Sequence, residues 1–212
     1  MTRIEDREDD ELLFDLGGTE HPSFLFLDAE GGVLGRHDAG DTSVKALEET
    51  GTRVKRSLDL RKKADAGDAA ARVDLAIVRC ELGVLEFSDL GGELEGAQLT
   101  PEQERAVGAL EADATVSDMW QVLKKNRDEA AKSMIAEEFL ALYAKGKHPG
   151  RPGNRRFYWA VLAGQGVARK DAALLGAALE GLRAVAGATP SEREAKQLRE
   201  LEEQLKGIAT AK

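Results

Sequence analysis

The chain has 212 residues, a net charge of −9, and 33% charged against 42% apolar residues, a balance expected of a soluble protein with one large or two small cores. Its acidity argues against a general nucleic-acid or anionic-membrane binder, which needs a basic face. No segment approaches the roughly 20 apolar residues of a membrane span. The single cysteine excludes an internal disulfide, a Cys-x-x-Cys pair and a multi-thiolate zinc site. Aromatics at 5% favour packed helices over sheet.

In chain order, residues 3–16 are charged with Ile4, Leu12, Leu13, Phe14 and Leu16 interspersed. They predict a short helix ending at Gly17-Gly18. The start is acidic with no apolar h-region, which predicts a cytoplasmic protein. The carboxylates of Glu5–Glu11 read as a solvated face, because alternating acids on one short helix do not converge on a metal ion. Strand signals follow over Ser23–Asp28 and Val33–His37, joined by Ala29-Glu30-Gly31-Gly32 as a hairpin. Phe24 and Phe26 point to one face of this hairpin, Leu25 and Leu27 to the other.

From Thr42 the apolar period becomes helical. Val44, Leu47, Val54 and Leu58 share a stripe running to about Asp65, with Gly51 as a potential interruption. Asp68 caps a second helix carrying Val73, Ile77, Cys80 and Val84. Cys80 therefore reads as a buried core thiol. Glu86–Leu99 reads as a loop or short turn. Thr100-Pro101-Glu102-Gln103 has the signature of a helix start. The region Val116–Ala144 is helical, with KKNRDE read as a bend. Further helices are predicted over Arg155–Ala168, Asp171–Ala186 and Ser191–Gly207, the last with an apolar seam of Leu198, Leu201, Leu205 and Ile208. Gly164, Gly176, Ala177 and Gly181 are small enough for close helix–helix approach. Trp159-x-x-Leu162 resembles tetratricopeptide spacing, without a second copy at a fixed period.

Between the helices, KGKHPGRPGN (Lys145–Asn154) has the composition of a linker. Lys145, Lys147, His148, Arg151, Arg155 and Arg156 form a basic cluster there, followed by Phe157, Tyr158 and Trp159. A phosphate patch is one reading of it; a solvated linker with the aromatics on the core face of the next helix is the reading favoured by an acidic chain. Gly31-Gly32 and Gly91-Gly92 lack the lysine and the strand-to-helix setting of a phosphate loop. His21, His37 and His148 are too scattered for a metal site, and no cofactor is expected.

The stretch HPSFLFLDAEGGVLGRHDAG, His21 to Gly40, resembles the C-terminal half of a thioredoxin-like domain. Pro22, the strand Ser23–Asp28, Gly31-Gly32, Val33-Leu34, Gly40 and the helix from Thr42 follow that family's order of cis-proline, strand, turn, strand and last helix. Within the family it looks most like bacterial proteins that append helices to the domain. The resemblance implies Pro22, with His21 beside it, as peptide-contact positions; the alternative is a proline that shapes the start of the strand and a loop histidine. The family's Cys-x-x-Cys lies upstream of the proline, and no cysteine precedes Pro22 here.

The sequence thus predicts a mainly α protein with a small α+β N-terminal part: a partial thioredoxin-like unit over 1–66, then an α-helical bundle or tetratricopeptide-like hairpins over 67–212, with a sub-boundary at 145–154. A hairpin alone leaves a strand edge unpaired. Helices wrapping both faces, a second chain at the edge near Phe24–Leu27, or a start shortened relative to a longer protein are the ways out. The expected function is a non-catalytic thioredoxin-like protein with a helical packing or interaction region, bound to a protein partner or to itself through that edge, with no nucleic-acid or membrane partner. The alternatives are an N-terminally shortened thiol–disulfide oxidoreductase, exported if its true start lies upstream, and a helical scaffold with an accidental hairpin likeness.

Overall fold

A computed structural model describes residues 24–37 and 43–210. The expected helix over 3–16, His21, Pro22 and Gly40 lie outside the described residues. The chain is mainly helical with one small antiparallel sheet, as composition and periodicity predict. It forms two compact units, Met1–Gln103 and Glu104–Lys212.

In the first unit, strands β1 (Phe24–Leu27) and β2 (Val33–His37) form the hairpin. The turn is tied by Asp28, whose Oδ1 accepts from the N–H of Glu30 at 3.1 Å and of Gly32 at 2.6 Å. Gly31 takes φ +86°, where side-chain-bearing residues are strained. Helix α1 (Val44–Asp65) starts on Ser43, whose Oγ accepts from Ala46 N–H. It runs unbroken through Gly51, contrary to the expected interruption. A single glycine inside a helix costs only about 1 kcal/mol, too little to break a helix whose face packs on the core.

Helix α2 (Ala69–Glu81) is capped by Asp68, as its sequence predicts. It packs on α1 in a helical hairpin within this unit, so the expected division at 66/67 falls at the turn between two packed helices. Val54, Leu60, Ala71, Val78 and Leu82 form the core, joined by Phe26, Leu34, Leu75 and Val84. The segment read as a loop or short turn contains a short helix α3 (Phe87–Glu93) that buries Leu90. One apolar anchor makes this turn helical despite Gly91-Gly92, a tertiary effect that periodicity does not register.

The division between units falls in the first turn of α4 (Pro101–Lys125), which begins with the expected reciprocal cap. Thr100 Oγ1 accepts from Gln103 N–H at 3.2 Å, and Gln103 Oε1 accepts from Thr100 N–H at 2.9 Å. The expected bend is a true break at Asn126–Asp128, and Asp128 caps α5 (Glu129–Ala144). Helices α6 (Pro152–Ala168), α7 (Ala172–Ala186) and α8 (Glu192–Thr210) follow. Their core joins Ala112 and Val116 of α4, Ile135, Phe139 and Leu142 of α5, and the inner faces of α6 and α7. The α8 seam of Leu198, Leu201, Leu205 and Ile208 packs against that core as half-buried residues.

Close approach of α6 and α7 rests on fewer small residues than expected. A Cβ on Gly181 would lie 2.3 Å from the Trp159 indole, and one on Gly166 would lie 2.8 Å from the backbone nitrogen of Leu175. Gly164 and Gly176 meet nothing within 4 Å, which corrects their expected role.

Candidate functional site

The hairpin is asymmetric. On the α1 side, Phe26 packs on the core, a Cβ on Gly35 would stand 2.9 Å from Val54, and His37 is buried. His37 Nδ1 lies 2.8 Å from Thr50 Oγ1. That hydroxyl itself donates to the Ala46 carbonyl at 3.0 Å, so the imidazole N–H is the donor to it. Phe24 stacks edge-on against His37 at 5.9 Å. On the opposite face Leu27 is 45% exposed, so among the described residues the helices cover one face rather than both.

The two edges of the sheet also differ. Arg36 N–H donates to the Leu82 carbonyl at 2.8 Å, and Arg36 Nε–H to the Gly83 carbonyl at 3.0 Å. The turn after α2 thereby closes the outer side of β2. Arg36 stands opposite Leu25. Because Arg36 turns its N–H away from β1, this is the non-hydrogen-bonded kind of antiparallel pair, and Leu25 turns its own N–H and C=O outward. No strand pairs on that outer side among the described residues. Strand edges are commonly blunted by lysine, proline or a covering element; Phe24–Leu27 contains neither residue. Past Phe26 the register shifts, with Leu27 opposite Val33 and Leu34 extra, and the bulge admits Leu34 to the core.

Of the site residues expected by resemblance, Pro22 and His21 lie outside the described residues. Cys80 is 5% exposed, as a core thiol. Gly91-Gly92 lies inside α3 rather than in a loop.

The basic segment Lys145–Arg156 is not a loose linker. Asp113, 6% exposed in the middle of α4, accepts from Gly150 N–H at 3.0 Å, from Arg151 N–H at 3.2 Å and from Asn154 Nδ2 at 2.9 Å. Lys147 pairs with Glu111 and Arg156 with Glu194. Pro149 is buried. His148 lies against the rings of Tyr143, Tyr158 and Trp159, with Nδ1 3.2 Å from Tyr158 Oη. Desolvation, then the Arg155 charge, lowers the imidazole pKa. Burial holds the Tyr158 phenol protonated. The aromatics form the core face of α6, as expected, with Tyr158 fully buried. The segment is thus an anchored loop whose charges are partly matched internally. Its organiser, Asp113, has no sequence signal beyond being an acid on a mostly apolar face.

A groove of about 300 Å³ between α6, α7 and α8 is lined by Arg156, Leu182, Ser191, Arg193 and Glu194. The Glu194 carboxylate there is already occupied by Arg156 and by the Ser191 N–H and hydroxyl. Among the described residues no cluster of His, Cys, Asp or Glu is arranged to hold a metal ion, and no helix is long and apolar enough to cross a membrane. No protein-family model, curated protein or solved structure matches the chain.

Proposed function

We propose that the chain is a non-catalytic, thioredoxin-like protein that takes up an extended segment of a protein partner at β1 by strand addition, with its helices providing packing surface. The observation that carries this reading is the outward N–H and C=O of Leu25 on the uncharged outer edge of β1, which pairs with no further strand among the described residues, beside a β2 edge that is already closed. Main-chain bonds to such an edge supply affinity, and alternate side chains supply selectivity. The thioredoxin-like part of the reading rests on the order of proline, strand, Gly turn, strand and helix, together with the seating of the hairpin on α1.

Strand addition predicts that short alternating apolar peptides bind, and that the same peptides N-methylated along their pairing edge do not. Fluorescence anisotropy on matched pairs measures this; equal binding of both forms would remove backbone pairing as the mode. In an insulin-reduction assay the chain is expected to show no turnover, because its one thiol is buried and has no partner cysteine. Measurable turnover would overturn the non-catalytic reading.

The second reading, a shortened thiol–disulfide oxidoreductase, is favoured by the same open edge, which is where a larger sheet would continue. In-frame translation upstream of Met1 separates the two. A Cys-x-x-Cys preceded by strand-like sequence and a signal peptide supports the oxidoreductase and export, and a nearby stop supports the non-catalytic, cytoplasmic reading.

A further inference from the structure

We infer that the strand taken up at β1 is β1 of a second copy of this chain, paired antiparallel about a two-fold axis at Leu25. This inference rests on the strand-addition reading and specifies its occupant and register.

Two-fold pairing of a strand with itself places the same residue opposite itself on the axis. For the new ladder to form hydrogen bonds at the axis, that residue must turn its N–H and C=O outward. Leu25 does so, whereas Phe24 and Phe26 stand opposite His37 and Gly35 in the alternate, inward-facing positions of the hairpin. Two registers therefore compete, centred on Leu25 and on Leu27.

Charge decides between them. The only charged residue adjoining β1 on the turn side is Asp28. An axis at Leu25 keeps the two Asp28 residues about 20 Å apart along the strands, at about 3.3 Å per residue. That separation exceeds the Debye length of about 8 Å at physiological salt. An axis at Leu27 brings them to about 7 Å, where like charges repel along an otherwise uncharged edge. The Leu25 register also sets Phe24 opposite Phe26 of the second copy, twice by symmetry. These are close, non-hydrogen-bonded positions in which aromatic pairs are favourable. Phe24, 36% exposed in the single chain, gains an apolar neighbour in this way.

The second copy fits the edge better than an arbitrary segment because Phe24–Leu27 carries no charge to meet a charged partner and is complementary to itself in this register. The two-stranded sheet becomes four-stranded, beyond the size at which a hairpin is only marginally stable.

The test uses the full chain and two variants, Leu25→Cys and Leu27→Cys. Light scattering across a wide concentration range is expected to show a dimer for the wild type, with the Leu25 amide more slowly exchanging in dimer than in diluted monomer. Facing residues of a hydrogen-bonded pair have Cα atoms about 5.5 Å apart, within disulfide range. Mild oxidation should therefore convert most of Leu25→Cys to a covalent dimer. In the same register the two thiols of Leu27→Cys lie about 13 Å apart, and that variant should cross-link at least tenfold less. Wild-type chain with its buried Cys80 sets the background, and unchanged thermal unfolding shows that both variants fold.

Cross-linking at position 27 in preference to 25 overturns the register. A wild type monomeric throughout, with neither variant cross-linking, overturns self-pairing. If plain peptides then still bind in preference to their N-methylated forms, strand addition stands with a foreign strand; if they do not, both readings fall.

Discussion

Replacing Asp113 with alanine is expected to lower the stability of the 104–212 unit by about 1.5–3 kcal/mol. The carboxylate is buried on α4 and accepts bonds from the Gly150 and Arg151 amides and from Asn154. Asn154 keeps two other acceptors, the Asp113 carbonyl at 3.1 Å and Ser117 Oγ at 3.3 Å. Gly150 and Arg151 are exposed and these bonds are part-buried, so water takes over part of the loss; losing hydrogen bonds to a charged acceptor then costs about 1.5–3 kcal/mol. Those amides lie just ahead of α6, where a carboxylate also meets the positive end of the helix dipole.

Asp113→Asn should fall between wild type and alanine, since one acceptor oxygen survives and the new NH₂ group confronts a backbone N–H. Asp118→Ala, at an exposed position of the same helix, serves as the control and is expected within about 0.5 kcal/mol of wild type. Urea unfolding followed by tryptophan fluorescence reads the result, as a shifted midpoint with unchanged slope. Equal midpoints for Asp113→Ala and Asp118→Ala would show that the loop does not depend on this carboxylate.

Two glycines two positions apart on α6 should respond to alanine with opposite signs. Gly164 lies on the exposed face with nothing within 4 Å of a new methyl. Alanine there gains about 1 kcal/mol of helix propensity. Gly166 is buried, and its new Cβ would come within 2.8 Å of the Leu175 nitrogen and 2.9 Å of its Cα and Cβ. Backbone cannot move aside as a side chain can, so α6 and α7 must separate. Overpacking of this kind costs about 1–3 kcal/mol and occasionally more. After the propensity gain, Gly166→Ala is expected to destabilise by about 1–2 kcal/mol. Gly181→Ala faces the indole of Trp159, which is itself buried, and should cost at least as much. Thermal midpoints of the single variants decide the matter. If Gly164→Ala and Gly166→Ala shift the midpoint in the same direction, the close approach of these helices is not what holds glycine at position 166.

These two cases also mark where local sequence stops being informative. Both glycines sit in one helical period and look alike as letters; which one touches Leu175 depends on where α7 crosses. Asp113 likewise resembles any helical acid until a loop some forty residues later is placed over it. By contrast the caps at Asp68 and Thr100, an interruption within KKNRDE and the hairpin turn could be read in advance, because each depends on residues within a few positions of one another.

The same division applies to the candidate site. That Phe24–Leu27 forms a strand, and that its two faces alternate, follows from the sequence through the period-two geometry of an extended chain. Which edge stays open does not follow from it. That was decided by the Leu82 carbonyl, far along the chain from Arg36, closing β2 while the N–H and C=O of Leu25 turn outward with no strand against them among the described residues. Helix periodicity, capping and turn chemistry are written in short windows, whereas edge protection and helix contact are properties of segments brought together only when the chain folds.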